Sequence, residues 1–141
     1  MTDPQILHAS CITASGRGLL LRGRSGSGKS SLALALMALG AELVADDRVV
    51  LACRGDHLVA SAPPPLRGLI EARGMGLLQA AWAQEAPVRF VVDLDQTEPD
   101  RMPPPRRLAL LGHEIPLLYR IENIHFASML MQLLKAGRYE T

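Results

Sequence analysis

The sequence predicts an α/β fold. Short β-capable runs separated by turn residues occupy most of the chain, and one of them, Gly18 to Leu21, feeds a glycine-rich loop that opens into an uninterrupted run of helix formers. The loop is the third observation. Gly23-Arg24-Ser25-Gly26-Ser27-Gly28-Lys29-Ser30 satisfies G-x-x-x-x-G-K-[ST] at every position. At 141 residues, a single domain spanning 1–141 is expected.

Ile6 to Thr13 is apolar and β-capable and is expected to form one strand. Ser15-Gly16-Arg17-Gly18 is turn-forming, so this strand and Gly18 to Leu21 are expected to pair as a hairpin. Ser30 to Leu39 is the clearest helix, closed by Gly40. It has almost no polar face, which predicts burial on nearly all sides. Glu42 to Ala45 is a short strand ending at Asp46 and Asp47, Arg48 to Cys53 is another, and His57 to Ser61 returns after the turn Arg54-Gly55-Asp56. Pro63 to Pro65 stops that strand. In Leu66 to Leu78, Gly68, Gly74 and Gly76 argue against a smooth helix. Pro87 to Asp93 is the candidate for a later central strand. Gln96 to Arg107, with four prolines, is expected to be a linker or a lid-like loop, and Leu108 to Leu118 a mixture of strand and turn. Ile124 to Lys135 has helical spacing and Gly137 to end it.

Composition narrows the function classes. Apolar residues make up 48% and aromatics only 4%, so the core is aliphatic. A net charge of +1 gives no reason to expect a nucleic-acid partner. Cys11 and Cys53 lie in unrelated settings and are expected to stay reduced. The first residues lack a basic region followed by an apolar run, and Ser31 to Ala41 is too short to cross a bilayer, so the expectation is a cytoplasmic protein without a membrane partner.

The loop has a definite chemistry. Its glycines let successive N–H groups converge on an anion, and the helix that follows adds its own free donors and positive dipole end. Lys29 supplies a mobile positive charge for the β- and γ-phosphates of a nucleotide, and Ser30 a hydroxyl for magnesium. Asp46 and Asp47, at the end of a strand, are expected beside this loop, because ligands of open α/β sheets bind outside the C-terminal strand ends. One carboxylate of the pair would move a proton and the other help hold the metal. An ATPase would use such a pair to position water and a kinase to accept a hydroxyl proton. The residues alone leave both open.

The stretches GRSGSGKSSLAL, ELVADDRVVL and LIEARGMGLL, together with His8 and the strand after it, resemble the catalytic domain of the HPr kinase/phosphorylase family in its short form. The resemblance runs from about Ile6 to Leu118. It implies a P-loop fold similar to that of phosphoenolpyruvate carboxykinase, ATP and magnesium as cofactors, phosphorylation of a serine of the phosphocarrier HPr, and phosphorolysis of that phosphoserine in many members. It also implies a homo-oligomer, the full-length enzymes being hexamers. Under it Asp46 is the proton-transfer residue, Asp47 its neighbour at the metal, His8 an assistant in proton handling and Glu71 a magnesium ligand. Arg73 and Gly74-Met75-Gly76 complete the signature. Where full-length members carry a basic V-R-P-G-R-N run, this chain has Ile115-Pro116-Leu117-Leu118-Tyr119-Arg120, with only Arg120 as a partial match. Forward transfer is therefore expected to outpace phosphorolysis by more than in the full-length family. The alternatives are a small P-loop ATPase or kinase with another substrate, and a nucleotide-binding switch.

Overall fold

The computed structural model describes residues 3–139. Gln5–Leu7 (β1), Ala9–Ala14 (β2) and Arg17–Arg22 (β3) open the chain, and Lys29–Ala38 forms the first helix (α1). Glu42–Ala45 (β4), Val49–Arg54 (β5) and His57–Ser61 (β6) follow, then the hairpin Leu69–Ala72 (β7) and Gly76–Gln79 (β8). Ala86–Thr97 (β9), Arg107–Leu110 (β10), His113–Arg120 (β11) and the helix Phe126–Ala136 (α2) complete it.

The sheet is mixed. β9 pairs in parallel with β3 and with β11, whereas β2 pairs antiparallel with both β3 and β4. The first residues of β9 turn to β6, Ala60 opposite Ala86, and the order continues through β5 to β1. Because β2 reverses between them, β3 and β4 still run the same way. The C-terminal ends of β3, β4, β9 and β11 therefore share one edge with the start of β2.

Burial explains why the central strands are apolar on both faces. Leu19 and Leu21 of β3 pack with Ile12, Leu43 and Val92 under Ala33 and Leu36 of α1 and Phe126, Leu130 and Leu134 of α2. Leu20 points the other way, into Cys11, Val44 and Val91, where β5 and β6 contribute Val49, Leu51, Leu58 and Ala60. Both helices thus lie on one side of the sheet. No helix among the described residues is long and apolar enough to cross a membrane.

Several expectations are corrected. Ile6 to Thr13 is two strands, because β1 leaves β2 to pair with β5, and His8 sits at the break. α1 is not buried all round. Lys29, Ala33 and Leu36 are its buried residues, and Leu39 just beyond it is 49% exposed, since the helix packs on the sheet, on α2 and on β7 and leaves its remaining side to solvent. The late central strand runs past Asp93 to Thr97. The proline-rich segment after it is tied down at both ends. Glu98 and Arg106 form an ion pair at 2.8 Å across its ends, Arg106 stacks on Tyr119, and none of its residues lines the cavity described below.

Candidate active site

The glycine loop joins β3 to α1 at the shared edge. Gly23 has φ 153, and a Cβ there would lie 2.5 Å from the Ser27 hydroxyl oxygen, so this position admits no side chain. Gly28, at φ 101, caps α1 without a side-chain hydrogen bond, which leaves the free N–H groups of the first turn available. Lys29 begins the helix and is only 7% exposed. Its Nζ curls back to donate to the carbonyls of Gly23 (2.6 Å) and Arg24 (3.0 Å). Behind the loop, the Asp95 carboxylate accepts the Arg24 N–H at 3.1 Å, and Arg120 donates Nε to the Leu94 carbonyl at 3.1 Å and Nη2 to the Ser27 carbonyl.

Asp46 and Asp47 part company. Asp46 ends the strand run at 6% exposure. Its Oδ1 accepts from the hydroxyls of Ser10 (2.8 Å) and Ser30 (2.7 Å), and its Oδ2 from the Glu71 N–H (3.0 Å). Asp47 follows at φ 69, a left-handed conformation that aspartate tolerates better than most residues. Its side chain is thereby turned outward, where Oδ1 meets His8 Nε2 at 2.8 Å with both side chains more than half exposed. The β7–β8 hairpin, turned through Gly74 and Gly76 at positive φ, brings Glu71 and Arg73 over the same place.

These groups enclose a cavity of about 350 Å³. Ser25, Gly26, Gly28, Lys29 and Ser30 line it from the loop, and His8, Asp46, Asp47, Glu71 and Arg73 from the other walls. Gly23, Arg24 and Ser27 shape the loop without facing the cavity. The residues expected to act together are thus gathered at one site, and the two aspartates have opposite surroundings there. It is Asp46 that holds Ser30, and Asp47 that stands with His8 in reach of solvent.

Ser10, Asp95 and the loop contact of Arg120 escaped the sequence reading. Ser10 carried a signal. It is the one hydroxyl among the apolar residues that open β2, Ala9 to Ile12. Asp95 lies near the end of the central strand, at the edge where ligands of such sheets bind.

The oxygens present suit the magnesium ion that the resemblance implies. Ser30, Asp46 and Glu71 are hard oxygen donors that line the cavity. Among the described residues no three His, Cys, Asp or Glu side chains cluster as a metal cage.

The family model described as HPr Serine kinase C-terminal domain matches residues 1–106. The HPr kinase/phosphorylase of Chloroherpeton thalassium is 36% identical over 127 residues, 81% of this chain and 37% of that protein. That of Mycoplasma mycoides is 34% identical over 94 residues, 62% of this chain and 30% of that protein. The chain therefore spans about a third of the length of these curated relatives. In fold it resembles the structure of the Hpr(Ser) kinase/phosphatase from Coxiella burnetii, with a TM-score of 0.79 at 24% identity over 93% of this chain and 88% of that one.

Proposed function

This chain belongs to the family of the HPr serine kinase C-terminal domain, and from that membership we propose that it is a Mg-ATP-dependent kinase acting on a serine of HPr. The observation that carries the reading is the joining of three parts around one cavity: the glycine loop with Lys29, the Ser30–Asp46 pair, and the exposed Asp47–His8 pair.

The glycine loop is a phosphate-binding loop of the kind shared with phosphoenolpyruvate carboxykinase. Its N–H groups and the start of α1 hold the nucleotide phosphates. Lys29 exchanges its two carbonyl partners for phosphate oxygens, which places its charge where negative charge builds during transfer. Magnesium, when bound, neutralises phosphate charge, and Ser30, Asp46 and Glu71 are the residues that would hold it.

We assign proton transfer to Asp47 in place of Asp46. The Asp46 oxygens are already engaged by two hydroxyls and an N–H in a buried position. Asp47 is open to an incoming hydroxyl, and His8 fixes its orientation. As the serine oxygen attacks the γ-phosphorus, its O–H bond breaks, the proton passes to the Asp47 carboxylate, and the bond to ADP opens. Phosphorolysis of phosphoserine-HPr is the slower direction, since Arg120, the partial match to the basic run, is committed to two backbone carbonyls. Assembly as a homo-oligomer, cytoplasmic location and a single domain over 1–141 belong to the same proposal and rest on the resemblance and on chain length.

The test is transfer of label from γ-labelled ATP to HPr. Label on a serine supports the proposal. Release of free phosphate with no labelled HPr would point to an ATPase or another substrate, and tight binding without turnover to a switch.

A further inference from the structure

The glycine loop is held by two side chains that do not line the cavity, and the contacts they make act on particular peptide planes. In a trans peptide the C=O of one residue and the N–H of the next point in opposite directions, and the described residues contain no cis bond. In the Gly23–Arg24 peptide, the N–H donates outward to Asp95 while the C=O accepts Lys29 Nζ from the other side. In the Ser27–Gly28 peptide, the C=O is taken by Arg120. The Gly28 N–H is thereby directed the other way, at a residue that lines the cavity.

We propose that Asp95 and Arg120 are positioning residues that set the donor directions of the loop before any ligand arrives. Asp95 orients the peptide that parks Lys29, and Arg120 orients the peptide that presents the Gly28 N–H. Neither side chain lines the cavity. Both act from the ends of neighbouring strands: Asp95 lies near the end of β9, and Arg120 closes β11 while also bonding the Leu94 carbonyl of β9. The loop glycines Gly23, Gly26 and Gly28 all sit at positive φ, where the backbone has alternative orientations that cost little. A loop of this composition needs outside contacts to keep one of them. This inference rests on the nucleotide reading for the identity of the ligand, though not for the orientation itself.

The experiment compares Arg120→Met, Arg120→Lys, Asp95→Ala and Asp95→Asn with the parent. Two quantities are read: amide hydrogen exchange of the segment 22–31 in the free protein, and Mg-ATP affinity by calorimetry. Arg120→Met and Asp95→Ala are expected to speed exchange in that segment and to weaken Mg-ATP, each by about tenfold or more, with exchange in β2 and β4 unchanged. Arg120→Lys and Asp95→Asn, which keep one donor and one acceptor, are expected to recover part of both. Should Arg120→Met fail to fold, the Arg120→Lys and Asp95→Ala pair carries the comparison. Parental exchange in segment 22–31 for all variants that fold would overturn the proposal. A parent that binds no Mg-ATP would instead remove the nucleotide reading, and the exchange measurement would still decide the positioning role.

Discussion

Two adjacent aspartates with opposite surroundings show how much one backbone angle can decide. At φ 69 Asp47 leaves the line of the strand, so its carboxylate stands outside while that of Asp46 stays within. Asp47→Asn is therefore expected to bind Mg-ATP like the parent and to transfer phosphate about 10²–10⁴-fold more slowly. Asp46→Asn puts an amide donor where three donors already converge, and is expected to lower thermal stability and blunt the magnesium response together. Calorimetry, a transfer assay and a melting curve on the two variants separate these outcomes. The pair was legible as a pair from its place at a strand end. The opposite placement of its two carboxylates was not, because φ at a turn is set by the chain on both sides. The cysteines make a second contrast. Burial pushes the Cys11 thiol up to about 12. The thiolate is the reactive form, so at pH 8 iodoacetamide is expected to label Cys53 and spare Cys11, as mass spectrometry of the digested protein would reveal. The unfolded thiol ionises near 9.0 and the folded one near 12, so the contribution of Cys11 is intact below pH 9 and is lost as pH rises toward 12.

At the scale of elements, strand, loop and helix around Gly23–Ser30 were legible because each carries a local signal: apolar residues, obligatory glycines, then helix formers. Glu42–Ala45 and His57–Ser61 fall at the expected residues for the same reason. The burial of α1 was not legible. Its composition shows that every side tolerates an apolar neighbour, whereas only the arrangement of the sheet shows which side receives one. The β7–β8 hairpin was missed for a related reason: Gly74 and Gly76 marked the turn, but Glu71-Ala72 and Gly76-Leu77 give too little alternation to announce two strands. The glycines of the loop differ in what they require. Gly23 has φ 153 and the Ser27 hydroxyl 2.5 Å from where a Cβ would go, while Gly26 has open space around it. Gly23→Ala is expected to reduce Mg-ATP affinity far more than Gly26→Ala, which carries only the strain of its positive φ. Titration of both variants, with circular dichroism to confirm the fold, tests this ordering.

For the molecule as a whole, the order of strands was beyond the sequence, since pairing partners are long-range and the β-capable runs resemble one another. The sheet is mixed, yet the crevice lies where a parallel sheet would put it, because β2 reverses direction between β3 and β4. The proline-rich segment is fastened by Glu98 and Arg106, whose hydrogen bond pushes the Arg106 guanidinium further up from its usual value. Glu98→Gln is expected to speed protease cleavage between residues 99 and 105 while leaving Mg-ATP affinity at the parental value, as limited proteolysis followed by titration would record. β9 has a consequence of another kind. The strand that delivers the glycine loop, β3, is hydrogen-bonded on one side by β2 and on the other by β9, some seventy residues later in the chain. During translation, a nascent polypeptide released from the ribosomal tunnel as far as residue 85 already contains every residue of the loop and both aspartates, but not the strand that completes the bed of β3. Ribosome-bound chains stalled with 85 residues exposed should fail to retain an immobilised nucleotide, and those exposing 120 should retain it. The loop is synthesised some seventy residues ahead of the strand that beds it.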